Sequence, residues 1–75
     1  MIDLDKEIKK LNYALGSYPC GYSADYELDD RENILKLMLM DSGDMPVLEL
    51  VTASPISINE MNGFKSRCIK KCSHA

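Results

Sequence analysis

Cys20, Cys68, Cys72 and His74 are the residues of this chain whose types could do metal or covalent chemistry. Zinc takes four such ligands in a tetrahedron, and a small domain gains much stability from one. The Cys68-x3-Cys72 pair, however, falls on a helix face that the surrounding pattern turns inward, where cysteine behaves as a small hydrophobe. Cys20 also has no second ligand near it at paired spacing. Structural thiols therefore outweigh a zinc site, and no cofactor is expected. Three cysteines cannot all pair within one chain, and a reducing compartment makes free thiols the base expectation, with a disulfide or reactive thiol the lesser alternative. Nucleophilic catalysis would need a cysteine beside His74 and a third group to orient the base. No such group is evident, so the chain is read as non-enzymatic.

The second chemical signal is charge. Residues 25–60 carry nine acids, Asp25, Glu27, Asp29, Asp30, Glu32, Asp41, Asp44, Glu49 and Glu60, against Arg31 and Lys36. The last fifteen residues carry only bases, Lys65, Arg67, Lys70 and Lys71, within a net charge of −3. Such a separation presents two surfaces of opposite sign. Neither Asp29-Asp30-Arg31-Glu32 nor Asp41-Ser42-Gly43-Asp44 has the spaced ligands and closing glutamate of a calcium loop. The acids read instead as a solvated strand face with two polar turns, or as a docking surface for a basic protein.

These residues must be positioned by a very small body. Seventy-five residues make one domain, 1–75, near the lower limit for a single hydrophobic core. Hydrophobic content of 45% and charged content of 28% are those of a globular chain. No apolar run is long enough to span a bilayer, and Met1-Ile2-Asp3-Leu4-Asp5 is unlike a signal peptide, so a cytoplasmic location is expected.

Leu4, Ile8, Leu11 and Leu15 share one face of an amphipathic helix, with Asp3 as N-cap and Gly16 as its stop. Tyr22, Ala24, Tyr26 and Leu28 alternate with polar residues, the period of a half-buried strand. Ile34–Met40 and Val47–Thr52 form a central hairpin. Ser57 and Glu60 then make a capping box, Ile56 and Met61 a hydrophobic staple, and Met61, Phe64, Cys68 and Cys72 continue at helical spacing. Gly63 in that helix is expected to mark close packing. The fold class is α+β: α-β-β-β-α, a three-stranded antiparallel meander with two helices on one face.

Four-residue links, Asp30–Asn33 and Ser42–Met45, place Tyr26 opposite Leu37 and Leu37 opposite Leu50. One sheet face then carries Tyr26, Leu28, Leu35, Leu37, Leu39, Leu48 and Leu50. The other sets Glu27 across from Lys36, with Met38, Met40, Val47 and Val51 as an apolar patch among carboxylates.

The element order resembles the double-stranded-RNA-binding domain over nearly the whole chain, which implies nucleic-acid binding. Such domains grip phosphates with a basic cluster at the start of the second helix. Here that position reads Ser57-Ile58-Asn59-Glu60-Met61-Asn62, with one acid and no base. Nucleic acid is thus the alternative partner, through Lys65, Arg67, Lys70 and Lys71. In size and charge the chain is also similar to small acidic inhibitors of phages and mobile elements, some anti-CRISPR proteins among them, which occupy basic nucleic-acid channels of host enzymes. The leading expectation is a protein partner with a basic surface, held by Asp25, Glu27, Asp29, Asp30, Met38, Met40 and Glu49. A homodimer through the same face is a further expectation, and no membrane partner is expected.

Overall fold

The computed structural model describes residues 2–74. It contains α1 (Leu4–Leu15), β1 (Ser23–Asp29), β2 (Ile34–Met40), β3 (Pro46–Ala53) and α2 (Ile58–Ser73), with one antiparallel sheet in the order β1-β2-β3. This is the α-β-β-β-α order expected from the sequence. Helix α1 starts where Asp3 Oδ1 accepts the Lys6 N–H at 3.2 Å, satisfying a donor the first turn would leave unpaired. It ends at Gly16, whose φ of −63° makes no use of glycine's freedom. Helix α2 starts at Ser57, whose Oγ accepts the Glu60 N–H at 3.1 Å. The Glu60 carboxylate takes the Thr52 hydroxyl at 2.6 Å, which ties the start of α2 to β3.

Leu35, Leu37 and Leu39 of β2 are wholly buried beneath the two helices. Ile8, Leu11 and Leu15 of α1 and Met61, Phe64, Cys68 and Cys72 of α2 close over them, with Ile56 buried beside Met61 as the staple requires. The expected register holds between β1 and β2 and, between β2 and β3, as far as Leu39: Tyr26 faces Leu37, Glu27 faces Lys36 and Leu37 faces Leu50. Asp5 lies by Tyr26 and Asn12 by Ala24, so α1 runs antiparallel to β1.

Three local expectations are corrected. The β2–β3 link is not the four-residue Ser42–Met45: Met40 pairs with Pro46, and the register shifts at Leu39/Met40. Asp41 causes this, because its Oδ1 accepts the N–H groups of both Gly43 and Met45 at 2.9 Å and holds a wider loop. The extra residue is Val47, which packs against the core cluster instead of completing an outer patch. Leu28 is 42% exposed, because it sits at the end of β1 beyond the main helical cover.

Gly63 is the third correction. It is exposed, and a Cβ built on it would meet nothing within 4 Å, so no close packing requires glycine there. Gly63→Ala is therefore expected to stabilise the fold by about 1 kcal/mol through helix propensity alone. Urea unfolding measures this, and a loss of stability would show that the backbone at 63 is constrained after all.

Candidate functional site

The cysteine and histidine set does not assemble. Cys20, in the α1–β1 loop, is disulfide-bonded to Cys72 in the last turns of α2, with Cα atoms 5.3 Å apart. The expectation of three free thiols thus fails for two of them. Cys68 is the free thiol, and it is wholly buried. Burial pushes its pKa up to about 12, against a small opposing pull from the Arg67 charge. A thiol so rarely ionised is a poor nucleophile and a poor metal ligand. His74 is exposed, and among the described residues no three His, Cys, Asp or Glu side chains are placed to hold a metal ion.

The acids divide by role. Asp25 Oδ1 accepts the Tyr26 N–H at 2.8 Å, and Asp29 Oδ1 accepts the N–H groups of Arg31 and Glu32 at 3.0 and 3.3 Å. Both therefore shape backbone. Asp29 in particular makes the tight β1–β2 turn, in which Asn33 takes a φ of 54°. Glu27 and Asp30 make no such bonds and are exposed. Glu49 meets Lys36 at 3.8 Å across the outer face. Met38 lies among these long side chains and is only 8% exposed, while Met40 is half-buried. The two methionines offer little surface.

Exposed apolar groups gather at the end of the sheet that carries the β1–β2 turn, while Tyr13, Met45 and Ile58 are exposed elsewhere. Leu28, Ile34 and Val51 line a cleft of about 540 Å³ with Glu27, Asp29, Asp30, Arg31 and Lys36. Val51 is 62% exposed. The sequence pattern had placed Leu28 in the core, so it did not identify this cleft.

The bases divide as well. Lys65 Nζ donates to Glu7 Oε1 at 2.6 Å and clamps α2 to α1. That hydrogen bond, with the Lys65 and Lys10 charges, holds the Glu7 carboxyl below its ordinary pKa against the effect of partial burial. Tyr26 is held above its ordinary value, because its hydroxyl donates to Asp5 Oδ1 at 2.6 Å. Lys65 is thus separate from Arg67, Lys70 and Lys71, which with His74 follow the i, i+3, i+4, i+7 spacing of a single helix stripe. These four line a second groove, of about 330 Å³, against Leu48 of β3. The spacing was visible in the sequence, but charge alone had grouped Lys65 with it.

Comparison with family models, with curated proteins and with solved structures finds no match. No helix among the described residues is long and apolar enough to cross a membrane. Any functional reading must therefore come from these surfaces.

Proposed function

We propose that this protein works by binding another protein, and that the cleft at the β1–β2 end of the sheet receives a basic segment carrying apolar side chains. The observation that supports this is the placing of exposed Ile34 and Val51 on the outer sheet face within a rim of carboxylates, with Leu28 at the edge of the cleft. An apolar floor supplies burial, and the acidic rim favours cationic partners and speeds their approach. Glu27 and Asp30 carry the electrostatic part, because their side chains have no structural bonds to give up. Asp25, Asp29 and Glu49 contribute field while serving the fold, and Met38 and Met40 act from beneath. For a homodimer through the outer face, Val51 and Ile34 would supply the apolar contact. Size and charge prompted the comparison with inhibitors of nucleic-acid enzymes, and the fold adds nothing to it. The Cys20–Cys72 bond favours an oxidising compartment over the cytosol, where reductants open such links.

The two hairpin turns make a matched test. Asp30 and Asp44 are both exposed turn acids, at opposite ends of β2. The probe is a blocked peptide alternating lysine and leucine, followed by calorimetry at low salt. Asp30→Lys is expected to weaken binding about fivefold, roughly 1 kcal/mol, while Asp44→Lys leaves it nearly unchanged. Equal losses from both would mean that net charge, not the cleft, attracts the peptide.

A further inference from the structure

The two edges of the sheet are not alike. On β1, the Asn12 carboxamide donates to the Ala24 carbonyl at 3.0 Å and accepts the Ala24 N–H at 2.7 Å. One side chain thereby imitates a neighbouring strand. The next outward N–H, that of Tyr26, is taken by the Asp25 carboxylate. Side chains thus take both outward groups of Ala24 and the outward N–H of Tyr26, a recognised defence against unwanted strand pairing.

The same bonds fix the polarity of the far edge. Ala24 turns both backbone groups to Asn12, so Ala24 and Leu39 form a non-hydrogen-bonded pair. Leu39 then bonds towards Leu48, and by alternation Leu37 bonds to Leu50 and Leu35 to Thr52. The N–H and C=O groups of Glu49 and Val51 must point away from the sheet. Among the described residues, no loop or cap reaches them. Beside this open edge lies the groove formed by Leu48, Arg67, Lys70, Lys71 and His74.

We propose that the open edge of β3 accepts an extended, acidic peptide segment of a partner as a fourth strand, with its carboxylates seated on the Arg67–His74 stripe of α2. This site lies apart from the acidic cleft and does not depend on it. Strand addition accounts for the backbone groups, since an extended chain offers N–H and C=O in the alternation Glu49 and Val51 require. Phosphates of a nucleic acid would meet the N–H groups but leave the carbonyls unpaired, and would face Glu49. Successive strand residues point to opposite faces, so an added strand would carry its acids at every second position, on the side of α2. The bases also complement the negative pole of the α2 dipole. That role alone would not place them along an unpaired strand.

The test uses the isotopically labelled, oxidised full chain and a blocked octapeptide alternating glutamate and valine. Saturation is expected to slow hydrogen exchange at the Glu49 and Val51 amides at least about tenfold. N-methylation of alternate peptide amides should abolish binding in one parity and spare it in the other. Lys70→Glu with Lys71→Glu, both exposed residues, should weaken binding at least about tenfold. Four results would each overturn the proposal. One is equal protection of the Glu49 and Val51 amides by a lysine–valine octapeptide, and another is no binding of the acidic peptide at millimolar concentration. A third is a fifteen-nucleotide oligo-dT that binds through Lys70 and Lys71 without protecting Glu49 and Val51. The last is protection of those amides, without peptide, that rises with protein concentration, since a second copy would then occupy the edge.

Discussion

Opening the Cys20–Cys72 disulfide is expected to cost the fold about 4 kcal/mol, measured as the difference between urea unfolding curves with and without reductant. The bond closes a loop with a sequence separation of 52, so reduction frees the unfolded chain to explore many more conformations. For a chain of 75 residues, total stability is on the order of 4–11 kcal/mol, so reduction removes between about a third of it and the whole. Reduction also releases the α1–β1 loop from the end of α2, next to the basic groove. Cys20→Ser with Cys72→Ser should reproduce the effect without reductant. Cys68 cannot rescue the double variant, because it then has no second cysteine in the chain to pair with. Coincident curves for oxidised and reduced protein would show that the native contacts alone fix the loop against α2.

The disulfide was also the feature least legible in the sequence. Whether Cys20 meets Cys72 depends on where α2 ends relative to the loop after α1. That placement follows from packing both helices on one sheet, which no local pattern encodes. The sheet itself was legible, because leucines at every second position of β2 leave only one face for the core. Caps were legible too, at Asp3 and Ser57, because capping is a matter between residues three apart.

Errors arose where a side chain acts on backbone. Asp41 widens its loop by binding two amides, which turned Val47 inward and removed it from the supposed outer patch. Asp25 and Asp29 counted as docking charges until their bonds to nearby N–H groups assigned them structural work. Asn12 carried no signal at all: it is one polar residue on an amphipathic helix, yet it closes a strand edge. Local bonds of this kind explain why the acidic surface was visible as composition while the structural work of its individual acids was not.

The closed and open edges also bear on which strands so small a sheet can accept. A three-stranded sheet has two edges, and here α1 protects one through Asn12 while β3 carries only Glu49 as a charge. Pro46 at its start and the shift at Leu39/Met40 limit pairing at one end. Between them, the unpaired groups of Glu49 and Val51 persist beside four basic or titratable side chains. Those side chains disfavour a basic strand and favour an acidic one, which gives the edge a preference in place of a full block.

Phe64→Ala is expected to destabilise the oxidised protein by roughly 3–5 kcal/mol, the second large effect in this fold. Phe64 is the sole phenylalanine, is 1% exposed, and lies on the buried face of α2 above the β2 leucines. Its removal takes away transfer free energy and leaves a cavity that a close-packed core fills only in part. Phe64→Leu keeps more of that volume and should cost clearly less than Phe64→Ala. An unchanged urea m-value would show that both variants act on stability and not on the compactness of either state. Phe64 and Cys72 are two helical turns apart, roughly 12 Å, so core loss and disulfide loss should be nearly additive. Together they amount to about 7–9 kcal/mol, comparable with the whole stability of a domain this size. The reduced Phe64→Ala protein should therefore be largely unfolded at 25 °C by circular dichroism. A cooperative unfolding transition in that variant would mean that the core, and not the cross-link, carries more of the fold than its size suggests.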